Sequence, residues 1–296
     1  MHETKTILIT GATGFLGSNL LKRLIRENYQ IILLMRSSSN PERISDVLGK
    51  VARYNADETD LTQIFDNHSI DTILHCATSY GRKEVSPLAL LETNLFLPLK
   101  LLQLGSKYAT SCFINTDTIL DKRVSHYSLS KCQFKDWLKT YARDMICVNV
   151  ALEHFYGPYD DETKFVTYII RSLINAVDAI DLTRGEQKRD FIYIDDVVDA
   201  FMRIIKHSGS LRNGYFSYEI GSSQTIEIRE FVTMVKRLAL NTHTHLNFGA
   251  LPYRENEIME SMVDISNIQK LGWEPLYSIE EGLNKTISLE KEHKLP

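Results

Sequence analysis

The sequence of 296 residues predicts an α/β fold, with a doubly wound parallel sheet followed by a smaller lobe. Two observations support this prediction. Through the first half of the chain, short apolar runs alternate with stretches of helical periodicity, as in repeated strand–helix–strand units. Further on, polar loops containing glycine and proline separate shorter elements. We therefore predict a first domain over residues 1–155 and a second over 156–296, with some segments of the second returning to the first.

Five apolar runs are interpreted as buried strands, because they are short, continuous and rich in β-branched residues. They are 6–10 (TILIT), 31–36 (IILLMR), 71–77 (DTILHCA), 112–116 (CFINT) and 146–152 (ICVNVAL). Helical periodicity is clearest over 15–28 and 88–108. Pro98 lies inside the second of these helices, and its missing N–H group predicts a kink or a break there.

Composition argues against several functional classes. The net charge is −4 and no basic tract is present, so nucleic acid is not an expected partner. The four cysteines are scattered, which predicts reduced thiols and neither a disulfide framework nor a metal site; they are Cys76, Cys112, Cys132 and Cys147. The N-terminus has no signal-peptide pattern, and no apolar run approaches the roughly 18 residues of a membrane-spanning helix. We expect a soluble, cytoplasmic protein with no membrane partner.

The first chemical motif is a glycine triplet between the first predicted strand and the first predicted helix. Glycine lets the backbone turn tightly and approach a pyrophosphate, whose charge is stabilised by the helix N-terminus. The spacing is GxxGxxG. The residues expected to contact the cofactor here are Gly11, Thr13, Gly14, Phe15, Leu16 and Gly17.

Arg36, at the end of the second predicted strand, indicates which dinucleotide is bound. Folds that bind NAD usually carry an acidic residue here, which hydrogen-bonds the ribose 2′-hydroxyl, whereas an arginine neutralises a 2′-phosphate. Ser37 follows and can donate to the same phosphate. The pattern therefore favours NADP(H) over NAD(H).

Together these residues resemble the extended short-chain dehydrogenases/reductases that act on nucleotide sugars. The glycine motif TGATGFLG (10–17), the segment HCA (75–77), and the C-terminal stretches RDFIYIDDVVDAF (189–201) and LGWEPLYSIEEGL (271–283) are similar to signatures of that family. The resemblance implies a Rossmann-like cofactor domain and a smaller nucleotide-sugar-binding lobe. It also implies further cofactor contacts from Asp57, Cys76, Ala77, Thr78 and Asn94.

The same resemblance assigns the catalytic residues. Tyr127 follows Thr116 by eleven residues, the separation with which the family brings a hydroxyl beside its catalytic tyrosine. Lys131 lies one helical turn after Tyr127, on the same helix face. It is expected to bind the nicotinamide ribose and, by its charge, to lower the pKa of Tyr127. Tyr127 then gives a proton to a carbonyl oxygen that Thr116 holds, and both Tyr127 and Lys131 contact the cofactor.

Further residues are expected to bind a nucleotide-sugar substrate. Those that the resemblance implies are Tyr80, Arg82, Thr118, His154, Arg189 and Arg254, and weaker candidates are Asn175 and Arg184. Arg189 is the candidate diphosphate clamp, because a guanidinium binds phosphate oxygens with two parallel hydrogen bonds. The stretch around Tyr80 resembles that of reductases that make 3,6-dideoxyhexoses for bacterial O-antigens, such as abequose and paratose synthases.

Three reactions are open to this family: 4,6-dehydration, C4 epimerisation and reduction of a 4-keto sugar. Dehydratases carry a glutamate base where this chain has Thr118, and GDP-fucose synthases carry a cysteine there. Thr118 replaces neither, which argues against both activities. Arg36 favours the reductase over the epimerase, because epimerases re-use a tightly held cofactor that is usually NAD. A nucleotide-sugar 4-epimerase and a non-catalytic NADP sensor remain as alternatives.

The resemblance also implies a homodimer. Family members commonly dimerise through the helix after the fourth strand and the helix that carries the tyrosine, here 88–108 and 127–143. The first of these segments has more apolar positions than one buried face requires. They include Leu88, Leu91, Leu95, Leu99 and Leu102.

Overall fold

The computed structural model describes residues 5–81, 85–254 and 257–293. The described chain forms two compact units. The first unit runs to Leu152 and also takes in Ala200–Tyr218, and the second comprises Glu153–Asp199 and the chain from Glu219 onward.

A seven-stranded sheet forms the centre of the first unit, in the order β10-β6-β5-β4-β1-β2-β3. Its strands are β1 (Thr6–Thr10), β2 (Gln30–Met35), β3 (Ala52–Asn55), β4 (Thr72–His75), β5 (Cys112–Thr118), β6 (Ile146–Leu152) and β10 (Gly214–Ile220). All neighbouring pairs from β6 to β3 are parallel. The order reverses between β1 and β4, which is the doubly wound arrangement. The predicted α/β fold is therefore confirmed.

Helices cover the strands of the first unit. They are α1 (Phe15–Arg26), α2 (Leu61–Asn67), α3 (Pro87–Leu91), α4 (Leu97–Lys107) and α5 (His126–Thr140). Between the helices α2, α4 and α5 and the sheet lies a core of fully buried apolar side chains, including Ile73, Leu101, Phe113 and Leu138. Burial of such side chains stabilises each by about 1.5–3 kcal/mol relative to exposure, so this core fixes where the strand ends lie.

Pro98 does not break the helix that contains it. A π-helical turn, Glu92–Phe96, joins α3 to α4, and Pro98 lies in the first turn of α4. Proline has no N–H group to donate, and the first turn of a helix is where that donor is not required. The chain therefore stays helical from Pro87 to Lys107, and the predicted break does not occur.

The same helical stretch bears on the membrane prediction. Pro87–Lys107 is 21 residues long and, by length and composition alone, apolar enough to cross a membrane. The expectation that no segment reaches this length is wrong. It considered only uninterrupted apolar runs, and Glu92 and Lys100 interrupt this one, but the mean hydropathy of the helix is still high. In the most apolar 18-residue part of this helix, 33% is buried within the protein.

The second unit is built on a smaller sheet of β7 (His154–Tyr156), β9 (Lys188–Tyr193), β11 (Thr225–Glu227) and β13 (Glu260–Ser261). A separate parallel pair joins β8 (Ala179–Leu182) to β12 (His245–Phe248). Its helices are α6 (Phe165–Ile174), α8 (Ile228–Leu238), α9 (Ser266–Gln269) and α10 (Ile279–Glu292), while α7 (Ile194–Ser208) follows β9 directly. Phe191 of β9 stacks on Phe231 of α8, with ring centroids 4.2 Å apart, and anchors helix to sheet.

The two C-terminal stretches that resemble the family, 189–201 and 271–283, contribute hydrogen bonds that hold this unit together. Both oxygens of the buried Asp190 carboxylate accept hydrogen bonds, from Ser222 and Ser223. Asp196 accepts from the backbone N–H groups of Leu276 and Tyr277 at 2.9 and 3.1 Å. These contacts fix turns between distant segments, so the carboxylates are structural.

Candidate active site

The glycine loop connects β1 to α1, and its three glycines differ in what surrounds them. Gly11 has φ +69°, and a side chain there would overlap the backbone nitrogen of Ala77. A side chain at Gly17 would overlap the carbonyl oxygen of Gly11. A Cβ atom at the exposed Gly14 would meet only that oxygen, at 3.3 Å. Gly11 and Gly17 therefore serve the packing of the loop, whereas Gly14 keeps open the space before α1.

That space suits an anion. Among the described residues, none caps α1 through its side chain, and its first turn contains no acidic residue. The N-terminus of a helix attracts a phosphate by its dipole and backbone N–H groups. Phe15 and Leu16 are buried, so only their backbone can take part. Thr13 is half-buried, and its carbonyl oxygen accepts from Arg43 at 3.5 Å. The sequence analysis did not single out Arg43.

Arg36, Ser37 and Asp57 meet at the ends of β2 and β3. Arg36 is exposed just after β2. The backbone N–H and the hydroxyl of Ser37 donate to Oδ2 of Asp57 at 2.8 and 2.6 Å. These hydrogen bonds, helped by the charge of Arg36, hold the pKa of Asp57 below its usual value. The three residues predicted to bind the adenosine half of the cofactor are therefore neighbours.

The segment after β4 is anchored from two sides. The hydroxyl of Thr10 accepts from Ala77 N–H at 3.2 Å and hydrogen-bonds His75 Nδ1 at 2.9 Å. Asn94, in the π-helical turn, exchanges two 2.8 Å hydrogen bonds with the backbone of Ser79 and donates to Ser130 Oγ. The buried Asn94 amide is thus engaged in shaping the loop that carries Cys76, Ala77 and Thr78. Ser79 and Ser130 were not predicted from the sequence.

Helix α5 presents Tyr127 and Lys131. It begins at a capping box, in which Ser125 and Ser128 satisfy each other's backbone N–H groups. Lys131 is only 2% exposed, and its Nζ lies 3.4 Å from Thr78 Oγ1, which places it beside the segment after β4. Thr116 is also buried, but its hydroxyl donates to the backbone oxygen of His75 at 3.1 Å.

The hydroxyl beside Tyr127 is that of Thr118. Burial raises the pKa of Tyr127 and the neighbouring Tyr80 raises it further, while a hydrogen bond with Thr118 lowers it. The net shift is upward, opposite to the expected lowering by Lys131. Burial also lowers the pKa of Lys131, against which the Asp117 carboxylate acts. At neutral pH the site therefore keeps a protonated phenol, the form that can donate a proton.

Asp117 is the centre of a buried polar chain beneath α5. Its Oδ2 accepts from Asn149 Nδ2 at 2.8 Å and lies 3.7 Å from Lys135 Nζ. Asn149 in turn accepts from Asn115 at 2.8 Å. Asn115 and Asp117 share one face of β5, Asn149 lies opposite Asn115 on β6, and Lys135 lies on α5. No sequence motif pointed to Asn115, Lys135 or Asn149.

A cavity of about 820 Å³ opens beside Tyr127 within the first unit. The ring of Tyr80 lies 5.1 Å from that of Tyr127 and tilts 43° to it. The rest of the wall is partly aliphatic, with Val85, Leu90, Val124 and Leu129, and partly basic, with Lys122 and Arg123. This volume is within the usual range of small-molecule sites, which is about 300–1,000 Å³. Arg82, also predicted to bind substrate, lies outside the described residues.

The remaining predicted substrate residues lie in the second unit. Arg189 is largely buried, forms an ion pair with Glu257 and donates to the Lys188 carbonyl oxygen at 2.8 Å. His154 pairs with the buried Glu153. Arg254 is exposed, as are the weaker candidates Asn175 and Arg184. Glu153 and Glu257 were missed, since neither carries a motif.

No group of three or more His, Cys, Asp or Glu residues in the described part of the chain is arranged to hold a metal ion. The four cysteines are free: Cys112 and Cys147 are buried, and Cys76 and Cys132 are half-buried. The chemistry that the site can perform is therefore best sought in Tyr127, Lys131 and their hydroxyl neighbours.

Comparison with known proteins agrees with this geometry. The chain is 36% identical to a CDP-abequose synthase of Salmonella muenchen, covering 98% of this chain and 100% of that one. It is 32% identical to a CDP-abequose synthase of Salmonella typhimurium, with 95% and 97% covered. Its fold matches UDP-glucose 4-epimerase of Thermotoga maritima with a TM-score of 0.85, at 23% identity, over 97% of this chain and 99% of that one.

A family model described as "NAD dependent epimerase/dehydratase family" matches residues 7–221, which include the glycine loop, Tyr127, Lys131 and Arg189. This match and the full-length relatives identify an enzyme that modifies nucleotide sugars with a nicotinamide cofactor. The chain belongs to the NAD dependent epimerase/dehydratase family.

Proposed function

We propose that this protein reduces the C4 keto group of a nucleotide-linked deoxy sugar with NADPH, for the synthesis of a bacterial surface polysaccharide. The observation that carries the proposal is the position of Tyr127, which is half-buried in the wall of a cavity and lies one helical turn before the buried Lys131. A reductase needs such a proton donor and no separate base on carbon.

The residues present fit a dinucleotide. Gly14 leaves room for the pyrophosphate at the N-terminus of α1. The exposed Arg36 is proposed to hold the 2′-phosphate, joined by Ser37 once its N–H and hydroxyl turn from Asp57. Lys131, near Thr78, is proposed to bind the nicotinamide ribose. When bound, NADPH supplies the hydride that the C4 carbon receives.

The protein's own part in the reaction is proton transfer and orientation. As the C4 oxygen gains negative charge, the Tyr127 hydroxyl donates its proton to it. The Thr118 hydroxyl, hydrogen-bonded to Tyr127, orients the phenol. Lys131, one helical turn away, is proposed to stabilise by its charge the phenolate that remains. Thr116 is the second hydroxyl proposed to hold the substrate oxygen, by turning from its present partner, the His75 carbonyl.

The cavity beside Tyr127 supports a deoxy sugar as the substrate. Its aliphatic side chains, Val85, Leu90, Val124 and Leu129, suit carbons that have lost their hydroxyl groups, because burying such carbons is favourable. Thr118 lies where a dehydratase or a C3/C5 epimerase needs its base, and a hydroxyl is not a base at neutral pH. Both considerations favour simple reduction of a deoxy sugar.

The nucleotide is proposed to be bound in the second unit, with Arg189 and Arg254 contacting the diphosphate. Relatives at 36% and 32% identity are named for a CDP-linked sugar, so a cytidine nucleotide is tested first. The direct experiment is to measure NADPH oxidation with 4-keto-6-deoxy and 4-keto-3,6-dideoxy sugars carried on CDP, dTDP, UDP and GDP. Absence of turnover on all of them contradicts the proposal.

A nucleotide-sugar 4-epimerase is the second candidate, favoured by the fold match to UDP-glucose 4-epimerase. The cofactor of the purified protein separates the two. Tightly retained NAD⁺ favours the epimerase, and exchangeable NADP favours the reductase. A non-catalytic NADP sensor is the third, and it leaves the Tyr127 and Lys131 arrangement without a purpose.

Arg36 tests the choice between NADP and NAD. Replacing Arg36 with alanine is expected to raise the KM for NADPH about ten- to a hundredfold, the cost of a charge-assisted phosphate contact, and to leave the KM for NADH nearly unchanged. Steady-state kinetics with both cofactors measure this. Arg26→Ala, at the end of α1, is the control and should change neither value. An equal loss with both cofactors removes Arg36 from the 2′-phosphate site.

We further propose that the protein is a cytoplasmic homodimer. Three large apolar side chains of the helical stretch 87–107 and of α5 are exposed, to between 40% and 73%: Leu88, Phe96 and Trp137. Apolar side chains grouped in this way indicate a contact surface. We expect a dimeric mass at micromolar concentration by light scattering, and a monomeric mass for Trp137→Glu. A monomeric wild-type protein contradicts this.

A further inference from the structure

Glu153 and His154 form a carboxylate–imidazole pair at the start of β7. Oε1 of Glu153 contacts Nδ1 of His154, and Oε2 accepts from the Ser261 hydroxyl at 3.0 Å. The Glu153 side chain is 1% exposed, whereas that of His154 is 43% exposed. A buried acid with both oxygens occupied thus holds one nitrogen of a ring whose other side reaches solvent.

The sheet places this pair near Arg189. In register, His154 lies opposite Phe191, and Ser261 lies opposite Arg189, two residues earlier on β9. The His154 ring packs on that of Phe191, with centroids 5.7 Å apart. Since residues i and i+2 share a face, Arg189 and His154 lie on one face, with Cα atoms ~8 Å apart from the strand spacing and rise. A ligand held by Arg189 is therefore within reach of His154.

We propose that Glu153 is a positioning residue that fixes the tautomer of His154 so that its Nε2 accepts a hydrogen bond from a substrate hydroxyl. A carboxylate can only accept, so Nδ1 of the neutral ring carries the proton. Nε2 is then left with a lone pair. This inference rests on the proposed function, because it takes the ligand of Arg189 to be a nucleotide sugar.

The tautomer selects the chemistry of the ligand. A lone pair on Nε2 does not bind a phosphate oxygen, which is also an acceptor, but it binds a hydroxyl donor. A nucleotide sugar offers hydroxyls from two sources, the hexose and the ribose. In this arrangement Arg189 binds the diphosphate, and Nε2 of His154 accepts a hydrogen bond from a neighbouring hydroxyl.

The first test observes the ring itself. With ¹⁵N-histidine-labelled protein at about pH 8, above the usual imidazole pKa of about 6.5, the resonances of His154 are assigned by their loss in His154→Phe. We expect a protonated Nδ1 and an unprotonated Nε2. Glu153→Met should abolish this preference, and Ser261→Ala, which leaves the carboxylate in place, should keep it. An unprotonated Nδ1 in the wild type overturns the inference, and it does so without any assay of activity.

The second test identifies the hydroxyl. The first probe is a nucleoside diphosphate glucose, chosen as whichever of the CDP, dTDP, UDP and GDP conjugates binds the wild-type protein most tightly. The other probes are the nucleoside diphosphate of that conjugate, the 2′,3′-dideoxy form of this diphosphate, and inorganic pyrophosphate. His154→Phe keeps the ring packing but has no acceptor, and should weaken binding of the sugar conjugate about three- to tenfold. Loss confined to the conjugate indicates a hexose hydroxyl, and loss that extends to the diphosphate but not to its dideoxy form indicates the ribose.

Equal loss with pyrophosphate, or no loss with any probe, overturns the assignment of His154 as a hydroxyl acceptor. If the wild-type protein binds none of the nucleotide probes, the proposed substrate class fails, and with it the hydroxyl-binding part of the inference. The tautomer spectrum still decides separately whether Glu153 positions the ring.

Discussion

Replacing Tyr127 with phenylalanine is expected to lower kcat for ketoreduction about 10²- to 10⁴-fold, the usual contribution of a general acid. Phenylalanine keeps the ring beside Tyr80 and the packing of α5, so the loss comes from the missing proton. The KM for NADPH should change little, because the cofactor is proposed to be bound by the glycine loop and Lys131. Stopped-flow oxidation of NADPH measures both quantities.

Two further variants make this result specific. Lys131→Met should lower kcat and also weaken NADPH binding, because the buried Lys131 is proposed both to contact the ribose and to stabilise the phenolate. Tyr141→Phe removes a hydroxyl just after the other end of α5, where the ring packs against the core, and should leave the kinetics unchanged. A loss smaller than tenfold in Tyr127→Phe means that another group supplies the proton.

The glycine loop gives the second large effect. Gly11→Ala should leave little folded protein, because its φ of +69° costs a side chain about 1–2 kcal/mol and its Cβ would also overlap the backbone of Ala77. Gly14→Ala should fold with nearly the wild-type melting temperature, because its Cβ meets a single atom at 3.3 Å, but it should bind NADPH much more weakly. The pair therefore separates packing from cofactor binding.

Thermal unfolding and NADPH fluorescence titration, carried out on both variants, test this distinction. The account is wrong if Gly11→Ala melts like the wild type, since the overlap with Ala77 would then be relieved cheaply. It is also wrong if Gly14→Ala binds NADPH as tightly as the wild type, because the space before α1 would not be the pyrophosphate site.

Local patterns were sufficient to predict the framework of the first unit. The run 6–10 and the glycine triplet gave β1, the loop and the start of α1, because a buried strand, a tight turn and an amphipathic helix each depend on residues close in sequence. The family resemblance named Asp57 as a cofactor contact but did not predict its hydrogen bonds with Ser37. The π-helical turn before Pro98 was not predicted, since hydrophobic periodicity alone does not identify such a turn.

The polar partners of the site were beyond prediction, because they join residues distant in sequence. Asn149 reaches Asp117 across 32 positions, and Ser261 reaches Glu153 across 108. Asparagine, serine and glutamate are common on protein surfaces, so nothing in their local sequence marks them as buried. The sequence named His154 through the resemblance, whereas only the fold reveals the acid that holds it.

The central claim, a net reduction at C4, is tested most directly by isotopic analysis of one reaction. The 4-keto-6-deoxy and 4-keto-3,6-dideoxy sugar nucleotides are incubated in D₂O with NADPH, and in H₂O with NADPH deuterated at the transferable position. The account predicts that one NADPH is consumed per sugar, that cofactor deuterium appears only at C4, and that no solvent deuterium enters at carbon. Conversion of the sugar without net consumption of NADPH, or solvent deuterium at C3 or C5, would contradict it.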